Sequence, residues 1–94
     1  MNIWDNESAQ ELCRAFMCLE SEEECRNFLE DICTIKEIME ISQRLMVAKQ
    51  LDKGISYNEI SKRTGASTAT VCRVKRCYDY GSGMYKTMVG RLEK

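Results

Sequence analysis

The 94-residue chain has no proline, no histidine and only five glycines. Without proline, no ring wedges into a helix and no backbone donor is lost by that route, so long uninterrupted helices are allowed. Without histidine, the commonest general base and a frequent metal ligand are missing. There is also no Gly-rich phosphate loop and no nucleophile beside an identifiable base, so the sequence offers no catalytic residue and the expectation is a non-enzyme. No stretch approaches the roughly 20 apolar residues of a membrane span. The opening Met1-Asn2-Ile3-Trp4-Asp5 shows neither the basic nor the apolar region of a secretory signal, which leads to the expectation of a cytoplasmic protein. Alternating β-branched runs are lacking too, so nothing argues for a strand.

Six cysteines stand at Cys13, Cys18, Cys25, Cys33, Cys72 and Cys77. An even number suggests a disulfide framework only in a secreted protein. No Cys-x-x-Cys occurs, and a zinc site would need four thiolates gathered by tertiary structure alone. The expectation is reduced thiols that behave as small buried hydrophobes on helix faces, with no metal. The acidic run Ser21-Glu22-Glu23-Glu24 is read as a capped helix start, where carboxylates complement the helix dipole, and not as a cation site.

Net charge is −1, but the charge is unevenly placed. Residues 1–40 carry eleven acidic and three basic side chains, a net of −8; residues 41–94 carry four acidic and eleven basic, a net of +7. Such asymmetry points to nucleic-acid contact by the basic half. The alternative is two solvated surfaces that attract each other within one molecule.

The length suits one domain, 1–94, with a modest core. Ser/Thr-x-x-Glu capping boxes at Ser21/Glu24, Thr34/Glu37 and Ser56/Glu59 mark helix starts, each predicting a hydroxyl that accepts from the backbone and a glutamate that returns to the cap. Helical stripes follow. Leu12, Phe16 and Leu19 mark a first helix from about Asn6; Cys25, Phe28, Leu29 and Ile32 a second. Ile35, Ile38, Met39, Leu45, Met46 and Leu51 mark a long third helix closed by Gly54, with Ile41, Val47 and Ala48 off its main stripe. A fourth is short, Tyr57 to Thr64; a fifth runs from about Thr68 to Tyr78; a sixth from about Met84 to Leu92, with Tyr85, Met88, Val89 and Leu92 on one side. Six helices make an all-α domain. Apolar residues around much of the third helix call for burial on several sides, which in a small chain implies a homodimer.

The segment from about Ser56 to Tyr78 carries the functional reading. Two short helices meet at Gly65, where glycine supplies a left-handed backbone. Ile60, Val71 and Val74 are spaced to lock both helices onto one core, and small Ser61 lets them approach. Ser67 is a good N-cap. At about 100° per residue, Val71, Val74 and Tyr78 share the inward face. Ala69, Cys72, Arg73 and Arg76 share the outward face, with Thr68 beside them. A helix that reads the major groove needs this surface: small residues for close approach, then arginines for guanine edges or phosphates. Thr68 and Ala69 suit thymine methyls; Lys62, Arg63, Lys75 and Arg76 suit phosphates. The candidate DNA-contacting set is Asn58, Lys62, Arg63, Ser67, Thr68, Ala69, Cys72, Arg73, Lys75 and Arg76.

At these residues the sequence resembles the Trp-repressor-like family, and within it the small YerC/YecD-type group. The stretch Arg44-Leu45…Leu51-Asp52-Lys53-Gly54, then Ser56…Glu59-Ile60 and Gly65-Ala66…Ala69-Thr70-Val71…Arg73, follows the family pattern with one residue fewer after Gly54. The resemblance implies an intertwined six-helix homodimer with a helix-turn-helix, a double-stranded DNA partner and a repressor role. It also implies a candidate amino-acid corepressor pocket at Arg44, Thr70 and Arg73. The pattern breaks there: Val74 replaces a glycine that makes room for an indole, and Cys77 replaces a serine. The expectation is an altered or absent tryptophan pocket and no cofactor. Arg44 then reads as half of a structural ion pair and Arg73 as a DNA contact. The competing reading is a helical interaction module that uses the same elements for dimerisation without DNA.

Overall fold

A computed structural model describes residues 2–94, and among them all regular structure is helical. They form two compact units, one ending at Ile35 and one running from Lys36 to Lys94.

In the first unit a 3-10 turn, Ile3–Asp5, precedes α1 (Glu7–Met17) and α2 (Glu22–Ile32). Each start is capped as its sequence dictates. The Asn6 side chain accepts from Ala9 N at 3.0 Å, and Ser21 Oγ accepts from Glu24 N at 3.1 Å, satisfying amides that a helix leaves unpaired at its first turn. The reciprocal half of the Ser21 box differs from expectation: Glu24 accepts from Glu20 N at 2.9 Å, one residue before the cap. Phe16 meets Phe28 edge-to-face with ring centroids 5.2 Å apart, a geometry that places a positive ring edge on a negative face. Yet the turn, α1 and α2 contain no buried residue. Leu19, expected on α1, follows its end.

The second unit holds most of α3 (Ile35–Asp52), then α4 (Tyr57–Thr64), α5 (Thr68–Tyr80) and α6 (Met84–Leu92). Gly54, at φ 74°, turns the chain out of α3 as expected. α5 extends two residues beyond its expected end, to Tyr80, because nothing interrupts the backbone ladder before Gly81. There the Gly81 amide bonds Cys77 O at 2.8 Å, and a Cβ would collide with that same carbonyl. The core is Val47, Ala48, Ile60, Ala66, Val71, Val74 and Val89, with Leu51, Ile55, Tyr78 and Tyr85 packed against it.

Two expectations are corrected here. Val47 and Ala48, read as off the main stripe of α3, are its buried residues, whereas Ile35 and Met39 on that stripe are 82 % and 64 % exposed. α3 is apolar on more than one side, so periodicity alone does not select the side that α4 and α5 cover. The six cysteines are free thiols, but none is buried: Cys25 and Cys33 are half-buried and the other four exposed. Cys13, Cys25, Cys72 and Cys77 lie on helices, whereas Cys18 and Cys33 follow the ends of α1 and α2.

Candidate nucleic-acid interface

The candidate interface is built by α4, a tight turn and α5. Ser56 Oγ accepts from Glu59 N at 3.3 Å and starts α4. The Glu59 carboxylate, expected to return to the cap, instead pairs with Arg63 at 3.2 Å, four residues on and one helical turn away. α4 ends on Gly65 in the left-handed conformation, φ 75°, with its amide bonded to Ser61 O at 2.9 Å. Thr64 braces the turn: its hydroxyl donates to Ile60 O at 2.7 Å and accepts from Ala66 N at 3.2 Å. Ser67 then caps α5, accepting from Thr70 N at 3.2 Å and donating to Thr70 Oγ1 at 3.1 Å.

Ile60, Val71 and Val74 are almost wholly buried and hold the two helices together as their spacing predicts. The Ser61 Oγ on α4 is buried with no hydrogen-bond partner among the described residues. Outward, Ser67, Thr68, Ala69, Cys72, Arg73 and Arg76 are exposed. Periodicity puts the last four of these on one face of α5. The first turn of α5 has no acidic residue, so its dipole and free amides present positive potential outward.

The basic residues divide into two groups. Among the described residues no carboxylate pairs with Lys62, Arg73 or Arg76. Arg63 is engaged, by Glu59 and by Gln50 Oε1 at 3.1 Å. Lys75 is engaged too, by Asp79 at 3.1 Å and by the ring of Tyr78, 5.7 Å from its centroid. Asn58 is exposed on α4.

Of the candidate effector residues, Arg44 alone lines the groove at the start of α6. Arg44, Ile41, Cys77, Met84 and Tyr85 line an open apolar groove in which neither Thr70 nor Arg73 takes part. Val74 is buried in the core. Arg44, expected in a structural ion pair, has no carboxylate partner among the described residues.

One cluster escaped the sequence reading. Tyr78 Oη donates to Asp52 Oδ1 at 2.6 Å, and Lys86 Nζ lies 5.1 Å from the Tyr78 ring centroid, joining Lys75 there. The hydrogen bond to Asp52, then burial, then the charges of Asp52 and Asp79 push the phenol up to about 12. The available signal was Asp52 itself, an acid at a helix C-terminus, where the dipole disfavours negative charge.

A family model, Trp repressor protein, matches residues 7–93. The uncharacterized protein YerC of Bacillus subtilis (strain 168) is 44% identical over 84 residues, covering 89% of this chain and 81% of that protein. Two solved structures superimpose closely, each at 41% identity. A TrpR-like protein from Eubacterium eligens has a TM-score of 0.88, covering 94% of this chain and 91% of that one. A structure from Staphylococcus aureus named for the Trp repressor has a TM-score of 0.90, covering 99% and 95%.

Proposed function

Because the chain belongs to the Trp repressor family, a family of regulators and not of enzymes, we propose that it binds double-stranded DNA through α4 and α5 and represses transcription. The observation that carries this reading is the outward face of α5: small Thr68 and Ala69 at the N-terminal end, then Arg73 and Arg76 with no carboxylate partner among the described residues. α5 lies in the major groove, where Thr68 and Ala69 meet thymine methyls and Arg73 meets a base edge or phosphate. Lys62 and Arg76 hold phosphates and set the register without reading sequence. Arg63 and Lys75 contribute less than their charge suggests, because each must first give up an intramolecular partner.

The binding unit is a homodimer. Trp4, Phe16, Met39 and Met46 are exposed in the single chain, and a second copy covers apolar surface of this kind. The Trp repressor is itself a standard example of this class, so the half-site spacing of about one helical turn is borrowed from the class. Val74 in the core and the separation of Thr70 and Arg73 from the Arg44 groove support binding without a tryptophan corepressor. No helix among the described residues is long and apolar enough to cross a membrane, and we place the protein in the cytoplasm with its DNA.

The test is selection of bound duplexes from a random pool, followed by salt titration of the recovered sequence. A two-fold symmetric site is expected, with affinity falling as salt rises, by about 0.9 log units per log unit of salt for each phosphate contact. Arg73→Ala with Arg76→Ala should abolish selective binding. If no duplex binds at low salt, the reading is wrong and the helical interaction module takes its place.

A further inference from the structure

Both connections to the α4–α5 pair turn on glycine. Gly54 precedes it at φ 74°, and Gly83 follows it at φ 88°. Backbone bonds from Gly54 to Leu51 O and from Ile55 to Gln50 O close the end of α3, and beyond them side chains set the angle of the pair against α3. Among the described residues, three side-chain hydrogen bonds run from α3 to this pair. Gln43 Nε2 donates to Thr64 O at 3.3 Å, and Gln50 Oε1 accepts from Arg63 at 3.1 Å; both end on α4. The third, from Tyr78 Oη to Asp52 Oδ1, is the shortest at 2.6 Å and reaches α5 itself across 26 residues.

We propose that Tyr78 and Asp52 form a positioning brace that sets the angle of the reading helix α5 against the end of α3. Neither residue touches DNA; the pair acts through Thr68, Ala69 and Arg73, whose reach into the groove depends on that angle. A hydroxyl–carboxylate bond is charge-assisted, hence short and directional. The placement of Asp52 supports this. An acid in the last position of α3 opposes the helix dipole, and a local rule broken at one site suggests a role there. The Tyr78 ring packs against the core, with Lys75 and Lys86 near it, so the hydroxyl is presented from a fixed base.

This inference rests on the DNA-binding reading, and the experiment separates the two. Affinities for the selected duplex and for a scrambled one are measured across salt for the full-length wild type, Tyr78→Phe, Asp52→Ala, Asp52→Asn and the double variant Tyr78→Phe with Asp52→Ala. Phenylalanine keeps the ring and its packing. Thermal midpoints are taken alongside, and binding is measured well below the lowest of them. Tyr78→Phe should lower the discrimination ratio about tenfold, consistent with one lost hydrogen bond to a charged group. The salt slope should not change, because phosphate contacts are kept. Asp52→Ala should match it, the double variant should be no worse than either single one, and Asp52→Asn, which keeps an acceptor, should retain most of the discrimination. A wild type that binds no duplex overturns the DNA reading and the brace with it. A wild type that discriminates, with Tyr78→Phe discriminating equally well whatever its midpoint, overturns the brace alone.

Discussion

Ser61 carries a buried hydroxyl with no hydrogen-bond partner among the described residues. A buried unpaired polar atom costs about 1–3 kcal/mol of desolvation. Ser61→Ala keeps the small size and removes the orphan, so the urea midpoint should rise by the equivalent of about 1 kcal/mol with an unchanged slope. A fall in the midpoint would mean that the hydroxyl is satisfied. Tyr78 makes the contrasting case, because its hydroxyl is well paired. The folded state holds the phenolic proton up to about 12, and the unfolded chain releases it near 10. Between those values the unfolded state binds fewer protons, so stability falls as pH rises. The stabilisation is fully present below pH 10 and lost as pH passes 12. Asp52, Asp79, Lys75 and Lys86 surround the group, so the Tyr78→Phe variant is the proper reference. Tyrosinate absorbance should show one late-titrating residue that disappears in that variant.

Among the elements, the turn between α4 and α5 is the most constrained. Gly65 sits at φ 75°, and a Cβ there would meet only Gln43 Nε2 at 3.9 Å. Space is available, so substitution is penalised by backbone strain and not by collision. Gly65→Ala should cost about 1–2 kcal/mol, and Gly65→Asn less, because asparagine visits the left-handed region more readily. Chemical denaturation of both variants checks the order; equal costs would point to a steric cause. This turn was legible in the sequence, as were the limits of α4 and α6, because caps and glycines act within a few residues. The buried side of α3 was not. Val47 and Ala48 were chosen over Ile35 and Met39 by the docking of α4 and α5, which lie beyond Gly54.

At the scale of the whole molecule the core is small. Among the described residues seven are buried, all between Val47 and Val89, while α1 and α2 bury none. A domain of this size with so few buried side chains is marginal by itself and commonly gains stability by association. Sedimentation equilibrium should give a mass near twice 10.9 kDa, and the thermal midpoint should rise with protein concentration. A monomer mass with a midpoint independent of concentration would rule the dimer out.

The sequence by itself determined the helices, the serine hydroxyls that cap them, the glycine turn and the outward face of α5, because these follow from propensity and a 3.6-residue period; it did not determine where the capping glutamates Glu24 and Glu59 bond. The residues of the candidate interface were therefore legible as a face. Which of its cations are free was decided by tertiary structure and by partners one helical turn away. Arg63 and Lys75 are drawn into Glu59, Gln50, Asp79 and Tyr78, while no carboxylate among the described residues pairs with Lys62, Arg73 or Arg76. The Tyr78–Asp52 contact belongs wholly to the tertiary structure. A bond between residues 26 apart exists only when two helices cross at one particular angle, and no local pattern encodes that angle.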